Sequence, residues 1–190
     1  MSVSDVFARI KSALDSAGVA YMLSGSFASA SYGVPRSTQD IDFVIAATPS
    51  QLRTLVQKLP SDQYYVDLDA ALEAHKRQSL FNVIDLATGW KIDFIIRKSR
   101  AFSEQEFSRR RLVDLEGTPL FVATAEDVVI AKLEWSKLAQ SQRQIEDVAA
   151  ILRVRSAALD HSYLEKWIAE LGLSKEWNDA RTAAGLSDPT

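Results

Sequence analysis

The chain has 190 residues, 47% of them hydrophobic and 25% charged, which is ordinary globular composition and suits one domain or one catalytic domain with a helical extension. No apolar run approaches the roughly 20 residues of a membrane span, no signal-peptide pattern opens the chain, and the lack of cysteine excludes a disulfide framework and thiolate metal sites. A net charge of −3, from 22 basic and 25 acidic residues, gives no global field for nucleic acid, so a cytoplasmic protein away from membranes is expected.

Val3, Val6, Phe7, Ile10 and Leu14 recur at helical spacing, which predicts an amphipathic first helix ended by Gly18. An apolar strand follows at Ala20–Leu23, then the small-residue turn Gly25-Ser26 and a short helix over Phe27–Tyr32. Gly33-Val34-Pro35 breaks that helix and leaves Arg36 and Thr38 on a loop before a second strand, Ile41–Ile45. Asp40 and Asp42 open this strand. Successive strand side chains alternate between faces, so the two carboxylates share one face while Ile41 and Phe43 share the other. Adjacent carboxylates repel, and a fold tolerates them best with a cation between them. Hard divalent ions take one or two carboxylates plus substrate phosphates, and a Gly-Ser turn at a helix N-terminus offers N–H groups to phosphate. Together these features read as a metal-nucleotide site. The competing reading is an ordinary strand with a turn aspartate and loop punctuation. Asp42 argues against it, because it lies inside an apolar run. Arg36 is read equally as a phosphate fork or as a partner of Asp40.

Thr48-Pro49 predicts a helix start, with the helix running to about Leu59 before Pro60. A short helix is expected over Asp69–Lys76. Leu80–Leu86 and Lys91–Ile96, joined by Ala87-Thr88-Gly89-Trp90, read as a β-hairpin, with Lys91, Asp93 and Ile95 on one face of the second strand. Asp93 is a charge in an apolar strand, where burial without a partner would cost several kcal/mol. A metal or another site charge would remove that cost. Asp85, near a strand end where solvation is easy, is given a structural role. The basic residues Arg97, Lys98, Arg100 and Arg109-Arg110-Arg111 read as a solvated face or a holder for an anionic acceptor. A polar helix is expected over Ser103–Arg111, then a short extended piece, Leu120–Val122. Thr124 caps a helix to about Ala139, with Asp127 at its third position and Val128, Ala131, Trp135 and Leu138 along one face. By spacing alone Lys132 flanks that stripe and snorkels. Two helices, Ser162–Leu171 and Ser174–Gly185, carry Trp167 and Trp177 as core or dimer contacts, which leaves a homodimer open.

Leu23, Gly25-Ser26 and Asp40-Ile41-Asp42-Phe43 resemble the signature of the nucleotidyltransferase superfamily to which DNA polymerase β belongs. The run Arg36-Ser37-Thr38-Gln39-Asp40 also resembles small bacterial members, including relatives of the AbiE-type toxin. Asp93 matches the third carboxylate of that pattern, and Lys132-Leu133 matches a lysine on a helix of the toxin-like members. Arg143-Gln144-Ile145-Glu146-Asp147-Val148 matches their Arg-Asp-x-x-Asp-hydrophobic motif, with Gln144 replacing the first aspartate.

The resemblance implies an α/β (α+β) fold, a small mixed sheet flanked by helices, with a catalytic core over residues 1–122 and a helical region over 123–190. It implies two Mg²⁺ or Mn²⁺ ions on Asp40, Asp42 and Asp93. Gly25, Ser26, Arg36, Thr38 and Lys132 would bind the nucleotide, with Arg143 and Asp147 in support. The reaction it implies moves a nucleoside monophosphate from a triphosphate such as ATP to a hydroxyl of tRNA, protein or a small molecule, releasing pyrophosphate. The toxin-like resemblance adds a partner, an antitoxin or helical protein. The alternative class is a binding module that kept the fold and lost turnover, since fold analogy alone does not settle function.

Overall fold

The computed structural model describes residues 2–34 and 37–186, so Arg36 lies outside the described residues. The chain divides into two compact units. One holds the residues up to Ser24 and Thr38–Ala123; the other holds Gly25–Ser37 and the chain from Thr124 onward.

The first unit contains every strand among the described residues. They are β1 (Ala20–Leu23), β2 (Asp40–Ala46), β3 (Tyr64–Val66), β4 (Leu80–Asp85), β5 (Lys91–Ile96), β6 (Arg111–Leu115) and β7 (Thr118–Val122). They form one mixed sheet in the order β3-β4-β5-β2-β1-β7-β6. The pairs β2–β5 and β1–β7 are parallel and the others antiparallel. Alternation decides which face is core. Ile41, Phe43 and Ile45 of β2, Ile92, Phe94 and Ile96 of β5, and Phe81 and Val83 of β4 are buried on one side. Phe94 stacks with Phe43 and tilts against Phe81 at centroid distances of 6.1 and 5.3 Å.

The helices of this unit are α1 (Val3–Ser16), α3 (Pro49–Gln57), α4 (Leu68–Arg77) and α5 (Ala101–Arg109). α1 packs on β1 and β7, α4 on β4, and α3 on both α1 and α4. Thr48 caps α3 as its sequence predicts. Its hydroxyl accepts from the Gln51 N–H while the Gln51 side chain accepts from the Thr48 N–H, and Pro49 sits in the first turn. Thr48→Ala is expected to cost about 1 kcal/mol, read as a lower urea midpoint at unchanged slope.

Two expectations need correction here. The segment from Arg111 is a strand, not the end of a polar helix: β6 pairs antiparallel with β7 through Glu116-Gly117. Both turn residues have positive φ, 52° and 84°, as a two-residue hairpin loop with type I′ character requires. Asp85 is structural, but it is buried rather than solvated. It pairs with Arg9 and accepts from the N–H groups of Ala87 and Thr88. Arg9 also donates to the Tyr64 hydroxyl at 2.9 Å.

The second unit contains α2 (Gly25–Tyr32), α6 (Ala125–Ala139), α7 (Gln142–Arg155), α8 (His161–Leu171) and α9 (Ser174–Ala184). α2 packs on α6 and α7. Gly33, just past α2, lies so close to α7 that a Cβ there would stand 3.1 Å from the Ile151 nitrogen. Thr124 caps α6, and its hydroxyl donates to Asp127, whose other oxygen accepts from Tyr163 at 2.6 Å. The face of α6 differs from expectation. Val129, Lys132, Leu133 and Ser136 are buried, whereas Trp135 and Leu138 are exposed. Trp167 is core, as one of its two readings had it.

Candidate active site

β2 and β5 run parallel in a register that sets Asp42 opposite Asp93 and Asp40 opposite Lys91. Paired residues on neighbouring strands share a face, so all three carboxylates and Lys91 stand on the side of the sheet opposite the Ile41–Phe43–Ile45 row. The next strand adds Asn82, which pairs with Asp93 across β4–β5. On the far side of β2, the Ser24 N–H donates to the Asp42 carbonyl at 2.9 Å, continuing the β1–β2 ladder past Leu23. One row across four chain segments therefore reads Asn82, Asp93, Asp42, Ser24.

Asp93 is buried and both its oxygens have partners. Oδ1 accepts from Asn82 Nδ2 at 2.5 Å, and Oδ2 accepts from Lys91 Nζ at 2.8 Å. The same ammonium lies 3.8 Å from Asp40 Oδ1. The charge of Asp93 is thus compensated by a lysine two residues before it on the same strand face. The hydrogen bond to Asp93 holds the Lys91 ammonium above the ordinary lysine value; burial opposes this, and the fields of Asp93, Asp40 and Asp42 add to it. A raised lysine value stabilises the fold fully below the ordinary value and loses that contribution as pH rises through the raised one. Wild-type melting temperature is therefore expected to fall more steeply above pH 10.5 than that of Lys91→Met. Equal slopes would show that Lys91 adds nothing to stability.

Asp40 is exposed, and Asp42 is half-buried. Thr38 turns its hydroxyl into the start of β2, accepting from the Asp40 N–H and donating to the Asp40 carbonyl, both at 3.3 Å. Three oxygen-donor carboxylates on one face suit a hard cation such as Mg²⁺ or Mn²⁺ in kind. As they stand, no group of three or more carboxylates or imidazoles among the described residues converges closely enough to hold a metal. Among the described residues, the positive charge that Asp40 and Asp93 share is the Lys91 ammonium.

In the second unit, Gly25 opens α2 with φ 60°, a left-handed conformation that favours glycine, and Ser26 follows in the first turn. Lys132 does not snorkel. It is buried, and its ammonium donates to Asp147 Oδ2 at 2.7 Å and Gln144 Oε1 at 3.0 Å. Gln144 thus remains a lysine partner although it is uncharged. Arg143, one position away on α7, is exposed.

The basic run after β5 is not a solvated patch throughout. The Arg110 guanidinium lies 4.2 Å from the Phe107 ring centroid and 5.0 Å from that of Phe121. Sequence reasoning missed Lys91 and Asn82 as members of the carboxylate row. The signal for Lys91 was present, since it shares a strand face with Asp93. Asn82 needed the hairpin register.

No protein-family model matches this chain, and no curated protein matches it in sequence. Solved structures do. The solution structure of the antibiotic-resistance factor ANT(2'')-Ia matches with a TM-score of 0.56 at 15% identity, over 92% of this chain and 95% of that one. The crystal structure of an antigenic nucleotidyltransferase-like protein from Paracoccidioides brasiliensis matches at 0.53 and 14%, over 97% and 93%. At these identities the likeness is one of fold.

Proposed function

We propose that this chain, which has the nucleotidyltransferase fold, moves a nucleoside monophosphate from a nucleoside triphosphate to an acceptor hydroxyl and releases pyrophosphate. The observation that carries this reading is the register of β2 on β5, which sets Asp40, Asp42 and Asp93 on one face. In the reaction the acceptor oxygen bonds to the α-phosphorus and the α–β bridging bond breaks. A divalent ion on the carboxylates would supply charge neutralisation on the triphosphate. Asp93 is assigned to hold the ion together with Asp40 and Asp42 and to help deprotonate the acceptor hydroxyl, with Asn82, donating to Oδ1, fixing the plane of its carboxylate. Asp40 and Asp42 are assigned to the metal and the triphosphate. Thr38 holds the backbone from which Asp40 projects. Gly25, Ser26 and Lys132 are assigned to phosphate recognition, and Asp147 to fixing Lys132.

A second reading has its own support. Lys91 already gives Asp93 and Asp40 a cation, which a binding module without turnover would need. Label transfer separates the two. The protein is given each α-labelled nucleoside triphosphate with Mg²⁺ or Mn²⁺ and a fractionated bacterial extract, beside Asp42→Asn. Label in RNA, protein or a small molecule with wild type only supports transfer and identifies the acceptor class. If a protein co-purifies and blocks labelling, that favours a toxin held by an antitoxin. Label in no fraction, with the two proteins alike, favours the binding module.

A further inference from the structure

Among the described residues Lys91 pairs with two of the three carboxylates on this face, Asp40 and Asp93, and its position has a consequence for anything else that carries positive charge there. Its ammonium hydrogen-bonds Asp93 Oδ2 at 2.8 Å and lies within ion-pair distance, 3.8 Å, of Asp40 Oδ1 on the same face. The other oxygen of Asp93, Oδ1, accepts from Asn82 at 2.5 Å, so both carboxylate oxygens are engaged. A divalent ion that binds Asp93 through Oδ2 between it and Asp40 takes the place that the Lys91 ammonium holds. The lysine has somewhere to go. Its side chain is 43% exposed, against 12% for that of Asp93, so the ammonium can swing into water while the carboxylate stays fixed on its strand.

Resting on the proposed metal-dependent reading, we propose that Lys91 is a resident counter-ion that occupies the Asp40–Asp93 position in the metal-free protein and is displaced when a divalent cation binds. The exchange replaces one unit of positive charge by two and moves no proton, since the lysine leaves as an ammonium. It lets an acidic cluster persist without metal, and it lowers metal affinity by the cost of breaking the lysine pairs. Lys91 is thus a positioning residue that acts on Asp93 and Asp40.

The test uses Mn²⁺ alone, with binding followed by calorimetry and by the loss of the free-ion paramagnetic resonance signal. Wild type is compared with Lys91→Met, which keeps the stem and removes the charge, and Lys91→Arg, which keeps the charge. Circular dichroism checks that each variant is folded. Lys91→Met is expected to bind Mn²⁺ about tenfold more tightly, the effect of removing one half-exposed competing charge. Lys91→Arg is expected to stay near wild type. A folded Lys91→Met that binds Mn²⁺ no more tightly than wild type overturns the counter-ion role and leaves the metal site standing. If neither wild type nor Lys91→Met binds Mn²⁺, the metal-dependent reading falls and the inference falls with it.

Discussion

Asp42→Asn is expected to lower nucleotidyl transfer by about a thousandfold, the rate equivalent of losing several kcal/mol of metal-assisted charge stabilisation. Asp42 stands between Asp93 on β5 and Ser24 after β1, at the centre of the polar row. The amide is nearly isosteric, and the strand holding it is fixed by backbone pairing and by Ile41 and Phe43 on the opposite face. The fold should therefore survive, with stability within about 1 kcal/mol of wild type, as is usual for changes that leave the core packed. The two measurements are single-turnover transfer of α-label and urea unfolding of the same preparation. Wild-type transfer rates in Asp42→Asn would remove this carboxylate from the chemistry, whatever the fold.

For Asp147→Ala, the expected loss is one of stability, about 3–5 kcal/mol. The Lys132–Asp147 pair joins α6 to α7, with side chains only 5% and 11% exposed. Taking away the carboxylate removes a charged partner at 2.7 Å from a buried ammonium, and the Gln144 oxygen at 3.0 Å is neutral. Removing both charges is a different experiment. Lys132→Met with Asp147→Leu replaces the pair by apolar groups and is expected to recover most of the loss, because two desolvation costs disappear together. A double-mutant cycle in urea reads the coupling directly. If Asp147→Ala unfolds within 1 kcal/mol of wild type, roughly the worth of a surface pair, the pair carries no structural load. A phosphate-binding role for Lys132 would then gain weight, since the lysine would not be tied to the fold.

Local pattern made the elements of the site legible. The alternation in Asp40-Ile41-Asp42-Phe43 puts two carboxylates on one face without reference to any other strand. Asp93 stands out because an aspartate inside Ile92-Asp93-Phe94-Ile95 needs a partner. Thr48 and Thr124 announce their helices because a cap is satisfied within three residues. α6 shows where such rules run out. Val128 to Leu133 is apolar on nearly every side, so periodicity does not choose between the face of Trp135 and the face of Lys132. β6 was missed because Arg111-Leu-Val-Asp-Leu is polar at its start, and only pairing with β7 fixes it as a strand.

By itself, then, the sequence determined which face of its own strand each candidate carboxylate occupies, because side-chain alternation is a property of a single strand. The tertiary structure decided who meets whom. The β2–β5 register brought Asp42 opposite Asp93, the β4–β5 register added Asn82, and long-range pairing gave Asp85 to Arg9. It also put the Lys91 ammonium between Asp93 and Asp40. Register is set by the packing of whole strands against a shared core, and one residue of slip would turn every side chain to the other face, so no short stretch of sequence contains it.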